Sequence, residues 1–268
     1  MLPAPTRPGL VASVRQFFFA EETPYGLALI RIILPVILIG LMLQRWIHVR
    51  EFFSSDGAAA PLALNYGYFN FPPEPSGTVA VVLATALIMF LVTACLGWQT
   101  RVSVIASCLI YTYLNMLDCL GTFTKYSVIA SHMLLLLSFS HCGAVWSVDA
   151  WLTSKPGAPP PKFPAWPRRL VQLLIGIVYF GSAITKIHTP TFFSGDQLRF
   201  WMMTNVNHAN PVGEQLTLFP VMLVLSAYSA AVWEITFLFL AWRGRGRWIM
   251  LLLGIGFHTM TLLTLGLY

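Results

Sequence analysis

The sequence is short of charge. Only 10 % of its 268 residues are Asp, Glu, Lys or Arg, against 57 % hydrophobic residues. A soluble domain carries about 25 % charged residues, and a soluble surface needs roughly that share or more. With a mean hydropathy of +0.71, the composition excludes a soluble enzyme, a disordered tail and a collagen-like rod. The apolar stretches are continuous runs of ~20 residues rather than ten-residue alternations, so a membrane β-barrel is excluded too. Cysteine is equally sparse. Cys95, Cys108, Cys119 and Cys142 each lie in or beside an apolar run, and no pair has Cys-x-x-Cys spacing. They read as small buried apolar residues, and no metal is expected. There is no Ser-His-Asp spacing, no phosphate-binding glycine loop and no His-x-x-x-His pattern. A cleavable signal peptide is also absent, because the first apolar stretch is too long and lacks an Ala-x-Ala exit. No internal repeat and no soluble domain is visible.

What remains is an all-α, polytopic integral membrane helical bundle, forming a single domain over residues 1–268. We expect about seven transmembrane helices: Tyr25–Ile47, Thr78–Gly97, Val102–Leu117, Tyr126–Cys142, Leu170–Ile187, Leu216–Trp242 and Trp248–Tyr268. The third and fourth are short for a hydrocarbon core of about 30 Å. Trp46, Trp98, Trp242 and Trp248 sit at segment ends, as an interfacial aromatic belt requires. Of the connections, His48–Gly77 and Ala144–Arg169 are turn-rich, and His188–Gln215 reads as a short interfacial helix or a re-entrant lid.

The net charge of +6 is scattered over short loops, so it reads as topology and not as a nucleic-acid surface. The N-terminus with the 2–3, 4–5 and 6–7 loops holds Arg7, Arg15, Arg101, Lys155, Lys162, Arg168, Arg169, Arg243, Arg245 and Arg247. The opposite side holds Arg45, Arg50, Lys125, Lys186 and Arg199. Ten against five predicts a cytoplasmic N-terminus. The chain stops on Gly266-Leu267-Tyr268 without a polar tail, which leaves open that it is a fragment of a longer protein.

Ionisable groups inside membrane segments are functional candidates by default, because each costs about 2.5–3.5 kcal/mol or more unless paired. Arg31 interrupts the first apolar run. An ion pair, snorkelling or contact with an anionic group would each account for it. Glu234 is the only acid deep in an apolar run. It serves either as glue between helices or as a protonatable group, and Arg31 is its first expected partner. His132 and His258 lie mid-segment, where a neutral imidazole can hydrogen-bond between helices. Lys186 ends the fifth segment. It is read either as a snorkelling lysine or as a desolvated base.

These residues form an ordered series that resembles the vitamin K-dependent γ-carboxylase-like family, the HTTM (horizontally transferred transmembrane) domain. Leu29-Ile30-Arg31-Ile32-Ile33 is similar to the family's first-helix Arg motif, and Phe53-Ser54-Ser55-Asp56-Gly57 to the turn that follows it. Trp146-Ser147-Val148-Asp149-Ala150-Trp151-Leu152 resembles a carboxylase stretch and adds Asp149 to the structural polar residues. Ile177-Val178-Tyr179-Phe180, Ala183, Lys186 and Gly195 resemble the helix that ends at the family's lysine. Glu234 and His258 fall where the family has an acid and a histidine. The resemblance implies a lysine base at Lys186, with His258 and Tyr126 nearby. It also implies a reduced quinone of the vitamin K hydroquinone kind as cofactor, with O2 and CO2, and an outer-face site. Lys125-Tyr126 stands where the carboxylases carry Asn-His, and the C-terminal lumenal domain is absent from this chain. Both weaken glutamate carboxylation more than quinol chemistry. The alternative is a non-catalytic scaffold or complex subunit that keeps the fold. A transporter fits less well, since no repeat halves or broken helices are visible. Beyond the bilayer and a lipid quinone, no partner, and no nucleic acid, is indicated.

Overall fold

The computed structural model describes residues 9–62, 72–119, 125–155, 157–204, 210–242 and 244–265. Among them twelve helices and one two-residue strand pair are formed: α1 Leu10–Phe19, β1 Glu21–Glu22, α2 Tyr25–Trp46, α3 Val49–Phe53, α4 Gly77–Leu96, α5 Thr100–Leu117, α6 Lys125–Ser138, α7 Val148–Thr153, β2 Phe163–Pro164, α8 Trp166–Ile187, α9 Asp196–Met203, α10 Pro211–Leu216, α11 Pro220–Leu240 and α12 Gly244–Leu265. The all-helical membrane architecture stands. Five helices, α2, α4, α8, α11 and α12, are long and apolar enough to cross a membrane. Among the described residues, two of the seven expected segments fall outside that set. The third expected segment is α5, whose buried face carries Thr100, Ser103, Ser107 and Asn115. The fourth is α6, whose 14 residues extend only ~21 Å. The 188–215 connection holds the two short helices α9 and α10.

The chain divides into two compact units, Met1–Leu170 and Val171–Tyr268. In the first, α2 packs on α4, α4 on α5, α5 on α6, and α6 returns to α2. The buried positions of α4 are Gly77, Ala80, Ala84, Leu87, Leu91 and Ala94. Their alternating three- and four-residue spacing makes one seam, and its small residues let the neighbouring backbones approach closely. The core of this unit is Leu38, Met42, Phe53, Leu87, Leu91, Tyr111, Leu114 and Leu134, among others. Pro35, on the buried face of α2, lacks the N–H that would bond the carbonyl of Arg31 one turn back.

Arg31 is wholly buried. Its Nη1 donates to the carbonyls of Ala94 and Cys95, both at 2.7 Å. Nε donates to the Cys142 carbonyl at 3.2 Å and Nη2 to the Trp146 carbonyl at 2.6 Å. Ala94 and Cys95 belong to the last turn of α4, where carbonyls lack intrahelical donors and a cation is favoured. Arg31 therefore caps α4 from the side and pins the 142–146 turn onto it. Four carbonyls of the first unit take its donors in place of the expected Glu234, whose carboxylate is bound by Lys186 within the second unit.

Asp149 completes this node. Its Oδ1 accepts from the Gln99 N–H at 2.8 Å. Its Oδ2 accepts from the Thr100 N–H and Oγ1, both at 2.7 Å. The carboxylate thus satisfies donors at the N-terminus of α5. Ser147 caps α7 by accepting from the Ala150 N–H at 2.9 Å. Gly97 is required between them. Its φ is +71°, and a Cβ there would lie 2.3 Å from that of Ser147 and 2.6 Å from Arg31 Nη1. The Trp146–Asp149 stretch is in this way a packing device, and Asp149 is half-buried within it.

In the second unit, α11 packs along α12, and α9 braces both. The core here is Phe192, Leu198, Met202, Leu223, Ala227 and Leu265. Gly195, with φ +83°, starts α9 and lies so close to Leu223 that a Cβ would come within 2.9 Å of the leucine Cβ.

Two outcomes follow from the Arg31–Asp149 node. Arg31→Met strands several buried carbonyls and should destabilise the protein by roughly 3 kcal/mol or more, read as a lowered unfolding midpoint in detergent. For Asp149, burial pushes the carboxyl up, but the hydrogen bonds from Thr100 and Gln99 and the charge of Arg31 outweigh it and hold it below its ordinary value. A depressed carboxyl stabilises the fold above the unfolded value of about 3.9, and that contribution is lost as pH falls through the folded value. Thermal stability should therefore drop in acid, and Asp149→Asn should flatten that limb of the profile.

Candidate functional site

Tyr179, Ser182 and Lys186 are spaced by three and four residues, which sets them on one face of α8. Lys186 Nζ donates to Glu234 on α11, at 2.5 Å from Oε1 and 2.7 Å from Oε2. It also donates to Ser182 Oγ at 2.7 Å. Ser182 Oγ in turn donates to Glu234 Oε1 at 3.2 Å. The three side chains form a closed polar triangle between two apolar helices. The phenyl ring of Phe192 adjoins it, its centroid 5.7 Å from Nζ. The lysine side chain is 18 % exposed and the glutamate 4 %, so the amine is the open end of the pair. Glu234 thus does find a basic partner in a neighbouring helix, and that partner is Lys186.

Two turns earlier on α8, Tyr179 Oη lies 2.7 Å from His258 Nε2 of α12. Around them sits an aromatic cluster. Tyr179 meets Trp233 and Phe237 edge-on at 4.7 and 4.9 Å. Trp233 stacks on Phe257 at 4.9 Å. The indole N–H of Trp233 donates to the Met250 carbonyl at 3.2 Å. Gly254 makes room for that ring, since a Cβ would come within 2.8 Å of the indole. Trp233 and Glu234 are consecutive on α11, so the aromatic cluster and the charged triangle are built on the same stretch of helix.

Of the residues expected at the site, Lys186, Glu234 and His258 lie in the second unit. Lys186 and Glu234 touch, while His258 is held by Tyr179. Tyr126 belongs to the first unit, in the opening turn of α6, and is 63 % exposed. His132 is corrected from a buried polar group to an exposed one. Its Nδ1 lies 2.7 Å from the Val128 carbonyl of its own helix, so it bridges no helices through that atom. Ser182 and Tyr179 carried no expected role. Their signal was present in the spacing from Lys186, but a serine or tyrosine on an apolar helix acquires a role only once its partner on another helix is known.

The lysine–glutamate pair generates a test. Lys186→Met or Glu234→Leu alone leaves one buried charge without its counter-ion and should cost about 3–5 kcal/mol. Joined in one protein, the two substitutions should cost clearly less than their sum. Additive losses in unfolding midpoints would show that the two side chains are uncoupled.

The HTTM domain matches residues 19–267, a region that contains the Arg31 node, the Lys186 triangle and the Tyr179–His258 pair. No curated protein and no solved structure matches the chain. Over nearly its whole length, the chain belongs to the HTTM domain family.

Proposed function

We propose that the protein is a membrane enzyme with carboxylase-like or oxygenase-like chemistry linked to a lipid quinol, in which Lys186 is the base. The observation that carries this reading is the contact of Lys186 with Glu234, an amine and a carboxylate 2.5 Å apart with the amine more open. Desolvation disfavours charged forms. Passing one proton from Nζ to Glu234 converts the ion pair into a neutral amine and a neutral acid with no change in total charge. A base can thus be generated in a low-dielectric setting without stranding an ion. Ser182 Oγ, bonded to both partners, keeps them in register during the transfer. A quinol supplies, when bound, an acidic phenolic hydroxyl and two electrons for O2. The donor set suits such a group, since a base and a hydroxyl beside the Phe192 ring would hold an apolar molecule whose polar atoms are hydroxyls. His258 fixes Tyr179 and hence the aromatic wall of this helix face. CO2 addition to a glutamate substrate is the further step that the resemblance implies. The competing reading, a non-catalytic scaffold, draws on the complete engagement of both Glu234 oxygens.

On this reading the N-terminus is cytoplasmic and the site opens on the outer face. The ion pair that holds Arg168 beside the start of α2 supports the first of these. Arg168 pairs with Glu22, just before α2, and Arg101 lies in the first turn of α5, beside the Asp149 clamp. A membrane-impermeant thiol reagent should spare a cysteine placed at Ala158 in right-side-out vesicles and modify one placed at Ala209. The reverse pattern would invert the topology.

The activity test is hydroquinone oxidation by purified protein. Lys186→Met should abolish turnover, and small exogenous amines should restore part of it. Turnover at the normal rate in Lys186→Met, or none in the wild type, would favour the scaffold.

A further inference from the structure

We propose that α1 lies flat in the headgroup layer of the bilayer and binds anionic phospholipid. Leu10, Val11, Val14, Phe17 and Phe18 fall within one arc of the helix about 120° wide, and Ser13, Arg15 and Gln16 fall outside it. An arc of this width ordinarily faces a protein core. Here no residue of α1 is buried, and Leu10, Val11 and Val14 are 82, 82 and 50 % exposed.

The occupant of that stripe follows from where α1 is held. Five residues, 20–24, separate it from Tyr25, the first residue of the membrane helix α2. Fully extended, they reach ~17 Å. They are also tied down. Glu21 and Glu22 pair with Pro164 and Phe163, the Ala165 N–H donates to the Ala20 carbonyl at 3.0 Å, and Arg168 binds Glu22. The Arg169 guanidinium sits 4.2 Å from the centre of the Phe17 ring. The helix is therefore fastened within reach of the leaflet that α2 enters. A stripe on one helix ~15 Å long is too small for a stable protein interface, which needs roughly 800 Å² from each partner. It is of the size and pattern that interfacial helices lay into the boundary between headgroups and acyl chains. The exposed Arg15 on the polar side of α1 and the exposed Lys162 beside β2 supply the charge complementary to anionic headgroups.

The test is hydrogen–deuterium exchange of residues 10–19 in the full-length protein, in nanodiscs of phosphatidylcholine alone or mixed with phosphatidylglycerol. Amides of α1 should exchange about fivefold more slowly in the anionic discs, the scale of about 1 kcal/mol per basic residue near a charged surface. Arg15→Glu should remove the lipid dependence, and Val14→Asp should speed exchange in both lipids, with α4 unchanged throughout. Equal wild-type exchange in the two lipids, or a lipid dependence that survives Arg15→Glu, would overturn the proposal. Protection that appears only when two copies share a disc would assign the stripe to a second copy and overturn it equally.

Discussion

A charge placed among apolar helices must find its compensation within the reach of its own side chain, and this constraint organises both halves of the protein. The first unit meets it with backbone. Arg31 is held by four carbonyls, two of them at the end of α4, where carbonyls are in surplus. The second unit meets it with a counter-ion, Glu234 against Lys186. The consequences differ. A carbonyl cannot take a proton from a guanidinium, so the Arg31 node is fixed and structural. A carboxylate can take one from an ammonium, so the Lys186 pair has two neutral-sum states, and the proposed function rests on this difference.

The same division separates the motifs. Trp146–Asp149, the stretch of closest resemblance, works in the first unit as a clamp on the ends of α4 and α5. Tyr179, Ser182 and Lys186 present their polar atoms on one face of α8, toward Glu234 and His258. A match to the first motif thus speaks for the fold, and only the second bears on the proposed function.

The apolar runs of α2, α4, α8, α11 and α12 were legible because a run of ~20 apolar residues has few alternatives. The first expected segment and α2 share the start Tyr25 and end within a residue of each other. Legibility failed where the decisive partner has no sequence signature. Arg31 was expected to seek an acid, but every residue offers a carbonyl, and nothing in the sequence marks Cys142 or Trp146 as the ones that turn inward. Glu234 was recognisable as a buried acid needing a base, yet two bases were available, and choosing between them requires knowing which helices pack. His132 sits mid-helix like a bridging residue, but the orientation of α6 turns it outward. The seven-span reading counted α5 and α6 by position in the chain, while the polar inner face of one and the short length of the other set them apart from the five long apolar helices.

The central claim is that Lys186 and Glu234 neutralise one another and can exchange a proton. Infrared spectroscopy of the carboxyl region reads this directly, with the Glu234 band assigned by Glu234→Gln. Losing the amine that bonds both of its oxygens should shift the Glu234 band in Lys186→Met relative to the wild type. A Glu234 band identical in the wild type and in Lys186→Met would contradict the account.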